Sequence, residues 1–176
     1  MSERNIPLPV WTWPLLGPYN GFTGIERIQG WQLTRWAINV GILRDAYICS
    51  VTGRVSDFPM GMHNENYYDP LGPKPICKEA HIKLHRRFKD PKPWEALVEK
   101  YWASAQDPWF VHLPMEEPNM AASLRRKGVK GGDAMMGRMV EDLGVCTPRP
   151  SGVLQTLKDF DKDGKYIQKK RVLKIV

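Results

Sequence analysis

Three cysteines, four histidines and no long apolar run mark what this chain has little of. Each scarcity excludes something. Cys49, Cys77 and Cys146 are an odd set in a chain of 176 residues, so a disulfide framework is not indicated. They are also too few for a four-thiolate zinc site. The apolar stretches are broken by charge or proline within a few residues, so no membrane span is expected. The N-terminus, MSERNIPLPVW, lacks a basic start followed by an apolar core, which argues against a secretory signal and for a cytoplasmic protein. Acidic residues are outnumbered: 26 Lys and Arg against 19 Asp and Glu leave a net charge of +7. That balance suits a polyanionic partner. The excess is clustered at Lys83, Arg86 and Arg87, at Arg125, Arg126 and Lys127 with Lys130, and in the tail from Lys165 to Lys174. Any one of these clusters alone reads as a solvated face.

What the chain has in quantity is tryptophan, seven residues, with fifteen prolines and fifteen glycines. Residues 1–22 form a Pro- and Trp-rich arm with no regular element signalled, suited to lying across a core or a partner subunit. Thr23 and Glu26 fit a capping box. They open a largely apolar helix reaching about Arg44, with Trp31 and Trp36 read as core. Residues 46–52 are β-prone, and a second strand near Phe58–His63 would pair with them as a hairpin. Three prolines and a glycine in residues 69–75 predict a loop. Residues 77–88 read as a short helix carrying His81, Leu84, His85 and Phe88 on one side. Further helices are expected at Trp94–Ser104, Met120–Lys127 and Ala134–Leu143, and an edge strand at Tyr166–Val176. The divisions are 1–22 (arm), 23–45 (helix on the core), 46–104 (the hairpin, loop and helices) and 105–176 (a basic C-terminal extension).

The chemistry concentrates in residues 49–88. A strand end bearing His63, a loop, then a helix bearing His81 and His85 is the order a one-metal phosphodiesterase site needs. His81 and His85 are four apart and share a helix face. Neutral imidazole suits a divalent transition metal, and Glu65 offers a hard oxygen nearby. A metal there would polarise the scissile phosphate while a base activates water. Lys83, Arg86 and Arg87 would hold flanking phosphates.

This block resembles the HNH (ββα-metal) endonucleases. Their phage and bacterial branch carries a run of the form His-His-Glu-Asp-Tyr-Ser-Lys-Pro-Leu, followed by Leu-Cys-x-x-Cys-His-x-x-x-His. Here the run is His63-Asn64-Glu65-Asn66-Tyr67-Tyr68-Asp69-Pro70-Leu71, then Ile76-Cys77-Lys78-Glu79-Ala80-His81 and His85. Upstream, Cys49-Ser50-Val51-Thr52-Gly53 stands where the family has Cys-x-x-Cys-Gly. The resemblance covers roughly a quarter of the chain. It implies an α+β fold, with a ββα-metal module embedded in a mainly helical, loop-rich single domain. It implies a metal-dependent DNA endonuclease, with His63, Glu65 and His85 as catalytic residues. His63, His81 and His85 would hold Mg, Mn or Zn, and DNA would be met by Lys83, Arg86, Arg87, Arg125, Arg126 and Lys127. Two departures stand out. Thr52 and Ala80 replace two of the four structural-zinc thiolates, so no structural zinc is expected and Cys49 and Cys77 are a buried remnant. Asn64 occupies the position that usually carries the general base, and an amide does not take a proton at neutral pH. That leaves His63 as the default base. The alternative is a catalytically degenerate protein of the same fold, acting as a DNA-binding or assembly subunit through a protein partner or a second copy at the arm.

Weaker signals are Asp159–Gly164, which begins like a calcium loop but has Lys170 where a bidentate Glu belongs, and the Gly128–Gly132 loop. His112 reads as a packed residue. Cys146 lacks a paired base.

Overall fold

In a computed structural model, residues 8–131 are described, together with positions 134, 162, 163 and 165. The expected helix at Ala134–Leu143 beyond Ala134, the tail strand and Cys146 lie outside the described residues, as does all of Asp159–Gly164 except Lys162 and Asp163, which form a turn.

Helix α1 (Gly24–Asn39) begins as its sequence predicts. The Thr23 side chain accepts from the Glu26 N–H, and the Glu26 carboxylate accepts from the Thr23 N–H, at 3.2 and 2.8 Å. It ends five residues short of Arg44. Gly41 takes a positive φ of 83°, and the Ile42 N–H turns back to the Ala37 carbonyl at 2.8 Å. Gly41 is therefore the stop, a glycine reversal that satisfies the last carbonyls. Gly30 has a different purpose. A Cβ there would lie 2.8 Å from the Tyr67 carbonyl oxygen, so its bare Cα lets α1 seat closely on the Tyr67 segment.

The sheet differs from expectation. Strand β1 (Gly61–His63) pairs antiparallel with β2 (Lys74–Ile76), in the register Gly61 to Ile76, Met62 to Pro75 and His63 to Lys74. The β-prone residues 46–52 form no strand. Ile48 makes a single bridge to Val55, and Cys49 to Gly53 close a tight knuckle in which Gly53 has a φ of 68°. In it the Gly53 N–H donates to the Cys49 carbonyl, and the Cys49 N–H to that of Arg54, both at 2.9 Å. Strand β2 lies in the segment read as loop. Both strands of a two-stranded sheet are edges, where proline is tolerated, and the Pro75 carbonyl still accepts from the Ser50 N–H at 2.8 Å.

Helix α2 (Lys78–Arg86) follows β2 directly, then α3 (Lys92–Tyr101), a 3-10 turn (Trp102–Ser104) and α4 (Met120–Arg126). The described residues thus form a small α+β domain of four helices and a two-stranded antiparallel sheet. Its core gathers Phe22, Ile28, Leu33 and Trp36 from the arm and α1 with Ile76, Leu84, Trp94 and Phe110. The arm lies across this core: Leu8, Tyr19, Asn20 and Phe22 are buried. Tyr19 and Phe22 bond each other's backbones around Asn20-Gly21, both with positive φ, a tight Asn-Gly turn. No helix among the described residues is long and apolar enough to cross a membrane.

Candidate metal centre

His63 ends β1, and His81 and His85 lie one turn apart on α2. Packing α2 behind the two strands brings one nitrogen of each ring within 4.8 Å of the others. The Nε2 atoms of His81 and His85 stand 2.9 Å apart. The His63 ring centroid lies 5.2 Å from that of His81 and 5.0 Å from that of His85.

His63 is set from behind. Its Nε2 lies 2.7 Å from Glu65 Oε1. Facing a carboxylate, that nitrogen carries the proton, which leaves Nδ1 as a lone pair. Nδ1 is buried and has no hydrogen-bond partner. An orphaned imidazole nitrogen inside a protein calls for an explanation, and a ligand lone pair beside two other imidazoles supplies one. Trp109 stacks over the His63 ring at 6.0 Å and 22°, and its indole N–H donates to Ser50 Oγ.

Glu65 does not act as a metal ligand here. Its Oε1 accepts from the Tyr19 hydroxyl at 2.8 Å as well as from His63, and its Oε2 accepts from Asn20 Nδ2 at 2.6 Å and Arg87 at 3.0 Å. With both oxygens doubly engaged, the residue orients His63 rather than offering the free hard oxygen expected from the sequence. Burial alone would raise its pKa. The hydrogen bond from His63, the Arg87 guanidinium and the Asn20 amide outweigh burial and hold it at about 2. Burial, with Glu65 beside it, raises Tyr19 and keeps it a neutral donor.

The expectation that Arg87 contacts phosphate is corrected. Arg87 is fully buried at the C-terminal end of α2, bonded to Tyr19 Oη, the Leu84 and Pro114 carbonyls and Glu65. The helix turn that exposes Arg86 directs its neighbour inward. Lys83 is paired with Glu79 at 2.9 Å, and Arg125 with Glu26 at 2.6 Å. Arg125, Arg126 and Lys127 are exposed. His112 is exposed, not packed. Asn64, at the expected base position, is buried and donates to the Asp69 carbonyl at 2.8 Å, which ties down the loop after β1.

Burial, followed by the neighbouring His63, lowers His81 to about 4. The same causes together with His81 lower His85 to about 2, and burial lowers His63. All three are therefore neutral at physiological pH, the state in which imidazole binds a metal. Their chemistry fits a borderline transition ion with an open coordination position. Cys49 and Cys77, both buried, meet at the knuckle: the Cys77 N–H donates to Cys49 Sγ at 3.3 Å, and Thr52 Oγ1 lies 4.0 Å from Cys77 Sγ.

A cavity of about 310 Å³ opens on His81 and His85, walled by Trp11, Trp31, Met62 and Tyr67 with Arg27 and Asn64. Trp31, read as core, is half-buried on this wall, whereas Trp36 is core. Tyr19, Asn20, Arg27 and Trp109 were not legible as site residues. The Asn-Gly pair after Tyr19 is the one local signal, since it marks the turn that delivers the arm to Glu65. No protein-family model, no curated protein and no solved structure matches the chain.

Proposed function

We propose that the protein is a metal-dependent DNA endonuclease built on an HNH-like ββα frame, with β1, β2 and α2 as that frame. The observation that carries the reading is the convergence of His63, His81 and His85, with the His63 Nδ1 lone pair buried and unpartnered. These three residues would hold the ion. When bound, a divalent ion on three neutral imidazoles supplies Lewis acidity, polarising a phosphoryl oxygen and acidifying water.

The chain's own residues do the rest. Glu65 fixes the ring plane and tautomer of His63, as carboxylates behind metal-binding histidines do. Tyr19, Asn20 and Arg87 fix Glu65. Arg27 lines the cavity beside His81 and His85 and has no carboxylate partner among the described residues. Its guanidinium lies over the Tyr19 and Tyr67 rings at 5.3 and 5.2 Å and donates to the Gly17 carbonyl, while its Nε is buried and unpartnered. It is the cation placed to neutralise a phosphate at this site. Arg86, Arg126 and Lys127 extend the positive surface for flanking phosphates.

The test is nicking of supercoiled plasmid and cutting of single-stranded DNA with Mg²⁺, Mn²⁺ or Zn²⁺. Activity should appear with at least one ion, vanish on EDTA treatment, and be lost in His85→Ala with its circular dichroism unchanged. No cleavage with any of the three ions overturns the reading. The degenerate alternative has one observation in its favour: the Asn64 amide serves the loop and offers no base. It expects DNA binding without cleavage.

A further inference from the structure

The cavity beside the histidines is more than a phosphate needs. Its wall includes Trp11 and Trp31, and the aromatic surface continues outward. Trp11 and Trp13 from the arm and Trp31 from α1 pack edge-to-face, with centroids 5.0, 5.1 and 6.0 Å apart. Trp13 is 55% exposed. Trp11 and Trp31 line the cavity, and Trp13 beside them offers a largely exposed indole face on which a flat ring can stack.

The same cavity carries Arg27, with its buried Nε unpartnered, and Asn64, whose Nδ2 is bonded to the Asp69 carbonyl. Two tryptophans, a cation without a carboxylate and two histidines of the metal-type cluster in one pocket match the parts of a nucleotide: a flat ring, a phosphate and a reacting phosphodiester. At about 310 Å³ the space is at the small end of ligand pockets. It admits one base with its sugar, not a base pair. A base inside a duplex reaches such a pocket only after unstacking, whereas a single strand presents its bases freely.

Resting on the nuclease reading of the site, we infer that this pocket takes one unstacked nucleobase of single-stranded DNA. Trp11 and Trp31 provide the stacking surface and Arg27 meets the adjoining phosphate. The protein then prefers single strands, or single-stranded branches, over intact duplex.

Binding tests this without cleavage. The full chain, kept in EDTA, is titrated against fluorescein-labelled (dT)8 and against a labelled eight-base-pair duplex, with fluorescence anisotropy as the readout. The single strand should bind at least tenfold more tightly. Trp31→Ala should weaken it about tenfold or more, the order expected for loss of one stacked base, Trp31→Phe should restore most of the loss, and duplex affinity should move less than threefold. If Trp31→Ala does not fold, Trp11→Ala on the arm gives the same comparison. Equal or tighter duplex binding overturns the inference, as does an unchanged single-strand affinity in the folded tryptophan variants, or no binding of either DNA. Failure of this inference and failure of the nuclease reading are told apart by this measurement. A protein that cuts duplex yet ignores the tryptophan substitutions keeps that reading and loses this one, and a strand-binding protein that never cuts does the reverse.

Discussion

His81 Nε2 and His85 Nε2 face each other at 2.9 Å across one turn of α2, and both rings are held neutral by burial. Two neutral imidazoles at that distance share one proton as donor and acceptor, or turn both lone pairs to a common cation. The His63 ring beside them, with its Nδ1 unpartnered, favours the second use. Titration with Co²⁺ should give one equivalent bound with visible d–d absorption. His81→Ala and His85→Ala should each abolish it. Glu65→Gln, which removes the carboxylate behind His63, should weaken binding about 10- to 100-fold. Undiminished cobalt absorption in the His81/His85 double alanine variant would place the ion elsewhere.

The same burial makes the fold sensitive to acid. Unfolded histidines titrate near 6.5, whereas folded His81 and His85 titrate at about 4 and about 2. Below about pH 6.5 the unfolded chain binds protons that the native chain refuses, so stability falls as pH falls. Each histidine contributes a slope of up to about 1.4 kcal/mol per pH unit. For His81 this continues to about pH 4, and for His85 to about pH 2. Glu65 acts in the same direction at lower pH: its folded pKa of about 2 stabilises the native state above the unfolded carboxylate range, and this is lost as pH drops towards 2. Urea midpoints between pH 7.5 and 4.5, without metal, should decline steadily from about 6.5. His85→Gln should flatten the decline, and a level profile from pH 7 to 5 would contradict the neutral cluster.

How far the sequence speaks depends on the range of the interaction. The Thr23–Glu26 cap, the face of α2 and the spacing of His81 and His85 are local, and each was legible. The partner of β1 was not. Propensity favours residues 46–52, yet Gly53 folds them into a knuckle, and the proline-rich Lys74–Ile76 takes the place because a three-residue edge ladder asks little of its backbone. The second layer of the site was also hidden. Tyr19, Asn20 and Arg87 reach Glu65 across 46, 45 and 22 residues. Nothing in the doublet Arg86-Arg87 says that one arginine faces solvent and the other is buried, since that is decided by where the α2 C-terminus meets the arm.

Gly30 offers a test of packing against propensity. Alanine there would gain about 1 kcal/mol of helix propensity. Its Cβ, however, would stand 2.8 Å from the Tyr67 carbonyl and 3.2 Å from the Tyr67 ring, both in the core. Overpacking of that kind costs about 1–3 kcal/mol, so the clash wins. Gly30→Ala should lower Tm by several degrees and loosen the loop bearing Tyr67. Gly17→Ala, where nothing lies within 4 Å, should leave Tm nearly unchanged. A stabilised Gly30→Ala would show that α1 sits further from Tyr67.

Arg86 and Arg87 should separate cleanly by experiment. Arg87 is buried against Glu65, Tyr19 and two carbonyls, so Arg87→Ala strands an ionised carboxylate in the interior. Breaking a buried pair from one side costs about 3–5 kcal/mol. Arg87→Lys should recover little, because an ammonium lacks the planar fork that meets several acceptors at once. Arg86 is exposed, and its alanine variant should sit within about 0.5 kcal/mol of the parent. In DNA binding the order reverses. Arg86→Ala should reduce the slope of log affinity against log salt by about 1, the signature of one lost phosphate contact. Arg87→Ala, assayed at a temperature where it remains folded, should leave that slope unchanged. A changed slope in Arg87→Ala with Arg86→Ala silent would mean that Arg87 leaves Glu65 to bind DNA, and the buried network would then have to open when DNA is bound.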